Sequence, residues 1–346
     1  MPTAIPGQYN TFIRNHEATG GMIVSYSRNP KEFRLSDWWQ YKPVDKNTGL
    51  YMKEGYEESG RVTDSGASRL WPDGHPRPSN NGNLNTFEWL PYRTVRYEYG
   101  FNIGSMAASQ ATWDVIQSNS RSAAQNCMTF RTKLAVAVAQ NTSNYLSAHT
   151  LTAPTDISGV TGKLDVSTVD RSDIKRTLDG MADLIRKKTL GAIKPSQLMV
   201  VVGPDFARKI SVTNEIRDYL KQQTGSEKLV TGNLGPVDNY GLPDTLYDYK
   251  IVVEDAVVIS QRKGASAAPA YLWDSDKIVM CARVGELESP SDAPAFSSFT
   301  CFLNEEMTVE DMEDANNRMH RGSIVDDFEC LLTAPEASVI CSDVLT

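Results

Sequence analysis

"KPSQLMVVVGPDFARKISVTNEIRDYLK", Lys194 to Lys221, is the stretch whose reading decides the fold. Five consecutive apolar residues, Leu198 to Val202, run into Gly203 and Pro204, and a helical pattern follows. The pattern looks like the strand–loop–helix opening of a nucleotide-binding unit. The glycines argue against that use. A dinucleotide fingerprint needs three closely spaced glycines, and a phosphate loop ends in Gly-Lys-Ser/Thr. Here one glycine is followed by proline, which has no N–H to offer an anion and at the first helical position only starts a helix. The stretch therefore reads as structural. It is expected to hold a strand, a short helix carrying Phe206 and Ile210, and a second helix beginning near Asn214 with Ile216 and Leu220.

The chain around it has 346 residues, enough for two domains and a sizeable core. Hydrophobic residues make up 40%, which fits neither a disordered nor a membrane-embedded chain. No unbroken apolar run is long enough to span a bilayer. The first residues lack the basic start and apolar centre of a signal peptide. Cys127, Cys281, Cys301, Cys330 and Cys341 are odd in number and never spaced as C-x-x-C, the pattern of free, mostly buried thiols in a reducing cytoplasm. Asp and Glu number 43 against 35 Lys and Arg, and the longest basic run is Arg186 to Lys188. A tight nucleic-acid binder concentrates positive charge on one face or arm, and this chain does not.

Upstream, residues 1–45 show little periodicity, with Phe12, Ile13, Phe33, Trp38 and Trp39 as isolated anchors. They read as an extended arm that must lie on something else to be ordered. From Lys46 to Thr86 six glycines and three prolines fall among ten charged residues. Loops this long are uncommon inside a compact domain. The flanks, "TGLYMKEGYEESGRV" and "FEWLPYRTVRYEYGFNI", carry alternating β-formers, as the legs of a long hairpin would. Between Gly104 and Pro154 there is no glycine or proline, and Ile116, Ala123, Cys127, Phe130, Leu134, Val138 and Tyr145 share one helical face. If the last 30 or so residues are helical, the rod is about 45 Å long. A second helix, "SDIKRTLDGMADLIRKK", is expected to be capped by Ser172 or Asp170, with Gly191 just beyond its end.

Downstream, "YKIVVED" and "AVVIS" read as short strands, and "YLWDSDKIVMCARV" as two strands around a polar turn. "FSSFTCFLN" and "DDFECLLTAPEASVICSDVL" read as strands, and the acidic "NEEMTVEDMEDANNRMHRG" between them as a helix or a loop. The whole is α+β.

Chemistry has no local support. His16, His75, His149 and His320 lie far from one another and from any cysteine, unlike a zinc site. There is no G-x-S-x-G elbow. Glu305, Glu306, Glu310, Asp311, Glu313 and Asp314 lack the spacing and glycine of a calcium loop and read as a solvated acidic face. "GVTGKL" ends in leucine where a phosphate loop needs Ser or Thr. No catalytic, cofactor-binding or metal residue is assigned.

"LMVVVGPDFARKISVTNEIRDYLK", "GLPDTLYDYKIVVEDAVV", "AYLWDSDKIVMCARVG" and "RGSIVDDFECLLTAPEASVICSDVL", in that order, resemble the axial domain and closing segments of tailed-bacteriophage major capsid proteins, the Hong Kong 97-type fold. The closing phrase matches at Ala334, Pro335, Ala337 and Ile340. The arm, long loop, spine helix and second helix also follow the family's order across nearly the whole chain. The resemblance implies an N-terminal arm at 1–45, an extended β-hairpin loop at 46–98 and a peripheral domain with the spine helix at 99–190. It further implies an axial domain at 191–285, peripheral return strands at 286–333 and an axial closing strand at 334–346. Trp38, Trp39, Glu57, Arg61, Arg69, Trp71 and Arg217 are the subunit-interface residues expected on this basis.

The resemblance implies a non-enzymatic protein without cofactor or metal, assembling with other copies of itself as pentamers and hexamers. The shell would enclose double-stranded DNA without sequence-specific binding, and no membrane is involved. A portal, a packaging motor and a separate scaffolding protein are implied partners, the last because the sequence opens directly in the arm. The implied location is the virion, with the host cytoplasm before and during assembly. Two rivals stand beside this reading: an encapsulin-like compartment with the same fold, and a cytoplasmic α/β enzyme using residues 194–260.

Overall fold

A computed structural model describes residues 33–55, 73, 75, 86–106, 115–222, 239–262, 264–285, 297–314 and 319–346. In chain order the elements begin with α1 (Leu35–Trp38), β1 (Gln40–Pro43), β2 (Thr48–Gly55), β3 (Thr86–Arg93) and β4 (Val95–Gly104). Next come α2 (Val115–Gln140), β5 (Thr150–Thr152), α3 (Asp173–Lys188), β6 (Leu198–Val202), α4 (Pro204–Ser211) and α5 (Asn214–Gln222). The remainder is β7 (Thr245–Leu246), β8 (Tyr249–Val253), β9 (Val257–Ile259), β10 (Pro269–Tyr271), β11 (Lys277–Ala282), β12 (Phe299–Asp314), β13 (Met319–Leu332) and β14 (Ser338–Ser342).

The opening stretch folds as read. β6 lies inside a six-stranded sheet of order β5-β14-β11-β6-β8-β7, antiparallel to β11 and parallel to β8. All five of its residues are buried because both faces of the sheet are covered. Leu198, Val200 and Val202 face a core shared with α3, α4 and α5. Met199 and Val201 face a second core with Trp38, Trp39, Ala135, Ala139 and Phe299. Gly203 has a packing role. A Cβ there would stand 2.8 Å from Cδ1 of Trp273, so only glycine lets the indole lie against the start of α4.

The second sheet, β1-β12-β13-β4, carries α2 across it. Its described span has 26 residues, about 39 Å, and it ends earlier than the sequence suggests. It stops at Gln140 because polar side chains compete for its last backbone groups. Asn144 Nδ2 donates to the Val138 carbonyl, and the Asn141 side chain accepts from Ser143 N–H. Tyr145 therefore lies beyond the helix, buried at the end of an exposed turn, and its hydroxyl donates to the Ala139 carbonyl.

Other expectations are corrected. Among its described residues the acidic segment is strand: Asn304 to Asp314 extend β12, paired with β13 across two register irregularities between Leu303 and Thr308. Strand pairing overrides its polar composition. The two strands of "YLWDSDKIVMCARV" do not pair with each other; β10 joins β9, and β11 enters the large sheet. α3 is not capped by the Ser172 side chain. The Glu215 carboxylate, from α5, accepts from Ile174 and Lys175 N–H at 3.0 and 2.9 Å, and Ser167 Oγ accepts from Asp173 N–H. The division at 190 does not follow the core, because Leu151, Ile174, Leu178, Met181 and Ile185 pack with the six-stranded sheet. That unit begins at about residue 150.

Candidate assembly surfaces

β2 and β3 form an antiparallel ladder from Thr48↔Arg93 to Gly55↔Thr86, the two hairpin legs expected from the sequence. The alternation of a strand gives this ribbon two faces. One face lies on the protein's own body. Tyr51 and Tyr92 sit on Phe302, the Tyr92 ring stacked at 4.6 Å. Gly49 leaves the space that the Tyr92 side chain crosses. Lys53 is ion-paired with Glu336, beside the closing strand. The other face holds Leu50, Met52, Trp89 and Pro91, all turned to solvent. The first three are 60%, 53% and 61% exposed. Four apolar residues side by side on one ribbon face form a patch, which on a soluble chain marks an interaction surface. Sequence reading treated Trp89 as a strand former and missed the patch. The signal was present in the Leu50/Met52 and Trp89/Pro91 spacing, but only the register Leu50↔Pro91 and Met52↔Trp89 puts the four together.

Trp38 and Trp39 are corrected: their exposures are 0% and 1%, so neither has surface to give a neighbour. Trp38 meets Trp39, Trp273 and Phe299 edge-on at 5.5 to 5.7 Å, and its Nε1 donates to Glu254 Oε2 at 3.2 Å. The aromatic pair needs burial, as the sequence suggests, but the second face of the large sheet supplies it. Arg217 is exposed on α5. Glu57, Arg61, Arg69 and Trp71 lie outside the described residues.

A buried ion pair fixes α2 to the second sheet. Arg131 Nε donates to Asp326 Oδ2 at 2.9 Å, and Nη2 donates to Oδ1 of the same carboxylate. Both side chains have almost no exposed surface. The guanidinium lies between the Tyr41 and Phe328 rings, 5.6 and 5.3 Å from their centroids. Burial alone would pull Arg131 down; the hydrogen bonds and charge of Asp326 outweigh it and hold the cation. Cys127 Sγ lies 3.5 Å from Asp326, and burial with that negative neighbour pushes its thiol up to about 12. The arrangement ties α2, β13 and β1 together. Among the described residues no group of three or more His, Cys, Asp or Glu could hold a metal. His149 is buried, with Nδ1 2.8 Å from the Ser338 carbonyl.

No family model matches the chain, and no curated protein matches it in sequence. Solved structures do. A phage-related protein from Bordetella bronchiseptica RB50 superposes with a TM-score of 0.58 at 13% identity, over 92% of this chain and 99% of that one. The capsid of Ralstonia phage GP4 gives 0.59 at 10% identity, over 94% of each chain. The encapsulin complex of Synechococcus elongatus gives 0.51 at 11% identity, over 94% of this chain and 92% of that one. The chain thus has a shell-protein fold, α+β in class. It is the fold these phage capsid and encapsulin chains share, the Hong Kong 97-type fold.

Proposed function

We propose that the protein is the major capsid protein of a tailed double-stranded DNA bacteriophage, assembling as pentamers and hexamers into an icosahedral shell. The observation that carries this reading is the β2–β3 ribbon, which anchors one face on its own chain and leaves Leu50, Met52, Trp89 and Pro91 bare. Covering that face with another copy removes the apolar surface from water, and many modest contacts add through multivalency. An encapsulin-like compartment is the second reading, favoured by the likeness to the Synechococcus shell. The cytoplasmic α/β enzyme using residues 194–260 gains no support from Gly203, whose missing side chain makes room for Trp273.

The charge argues for a genome driven in by a motor through a portal, after assembly on a scaffold. In the first 45 residues Arg14, Arg28, Lys31, Arg34 and Lys42 nearly balance Glu17, Glu32, Asp37 and Asp45, and the chain carries −8 overall. A mildly acidic wall does not grip phosphates. Nuclease-treated protein, with scaffold if required, is expected to close into shells without nucleic acid over a range of salt. Shells that form only with DNA or RNA, and lose that dependence as salt releases it, contradict a motor-filled capsid.

A further inference from the structure

Cys301 and Cys330 stand directly opposite each other in the β12–β13 ladder, with Sγ atoms 3.6 Å apart. Both are free thiols. The other three lie apart from this contact: Cys127 on Asp326, Cys341 on the Ser342 carbonyl, Cys281 within β11. The pair is asymmetric. Cys301 is fully buried, whereas Cys330 is 7% exposed and borders a groove of about 430 Å³ between α2 and the β4–β13 edge. The groove's walls include Leu134, Val138, Val95 and Tyr97, and it is wide enough for a small oxidant.

We propose that Cys301 and Cys330 are a redox modification site, closed to an intrachain disulfide by a peroxide that enters through this groove. The Cys330 thiolate attacks one peroxide oxygen, and the O–O bond breaks. The departing hydroxide takes the thiol's proton as water, leaving a sulfenic acid on Cys330. Cys301 Sγ then attacks the Cys330 sulfur, the S–O bond breaks, and a second water leaves. The two thiols lose two electrons and the peroxide gains them. A disulfide needs its sulfurs near 2.05 Å, so the strands must draw together by a small amount. The register irregularity that begins at Leu303, two residues from Cys301, supplies slack. Arg131 favours the Cys330 thiolate, but contact with Cys301 and burial push that thiol well above its ordinary value. Closure is therefore slower than oxidation of an exposed thiol. A cross-strand link under some strain is also readily reduced.

The site belongs to the folded chain and does not depend on the assembly reading. Purified full-length protein is treated with hydrogen peroxide, quenched, alkylated in denaturant and mapped by mass spectrometry without reduction. Two of the five thiols should disappear, a peptide joining residues 301 and 330 should form, and dithiothreitol should restore both. In Cys301→Ser, Cys330 should instead be trapped as a sulfenic acid by dimedone. The wild-type map decides even if that variant folds poorly. Five thiols surviving at a peroxide dose that oxidises glutathione, or Cys330 passing to sulfinic acid with Cys301 still free, overturns the proposal.

Discussion

Arg131 is the residue on which the attachment of α2 depends. Its charge is held by one carboxylate and two aromatic faces, with almost no water nearby. Replacing one partner of a buried pair strands the other, at a cost of about 3–5 kcal/mol. Arg131→Met is therefore expected to lower the stability of the folded chain by that amount in chemical denaturation. A loss below about 1 kcal/mol means that water or relaxation rescues Asp326. Thiol chemistry gives a second check at this scale. Burial pushes Cys127 and Cys341 up to about 12, with Asp326 adding to the first and Asp156 to the second. Near pH 8 almost no thiolate forms at either, so alkylation is expected only after unfolding. Labelling of native Cys127 as fast as glutathione contradicts this account. The free, buried thiols were legible beforehand, but the ion pair was not. Cys127 was placed on the buried face of a helix, but nothing in the spacing ties Arg131 to Asp326, 195 residues away.

Legibility differed from element to element, for physical reasons. β6, α4 and α5 were readable because local signals agreed: an apolar run, a proline at the helix start, and apolar residues one turn apart. The end of α2 was misplaced because Asn141 and Asn144 stop it without glycine or proline. The acidic part of β12 was misread because its conformation comes from pairing with β13, a non-local effect. The β2–β3 ribbon was recognised, but its bare face required the register. That face supplies the element-scale prediction. Trp89→Ser with Leu50→Ser should change the stability of the isolated chain by less than about 0.5 kcal/mol, since both side chains are already in water. The same variant should lose shell formation, read by sedimentation of assembled material. Normal shells from it would show that the patch is not an interface.

At the scale of the whole molecule, two cores back onto one six-stranded sheet, and a second sheet carries α2 on the far side of one of them. The order of elements was legible because each long segment had a distinct pattern, whereas the sharing of cores was not. Residues 150–190 joined the large sheet rather than the spine helix because the apolar stripe of α3 found that face. Trp38 and Trp39, expected between subunits, were absorbed by the other face. With those anchors spent inside the chain, the bare ribbon face is the surface that the proposed assembly would use. Electron microscopy of the purified protein, at high concentration and with scaffold if one is required, tests this most directly. The account predicts rings of five and six and closed icosahedral shells; a monodisperse 38.3 kDa monomer under all these conditions would contradict it.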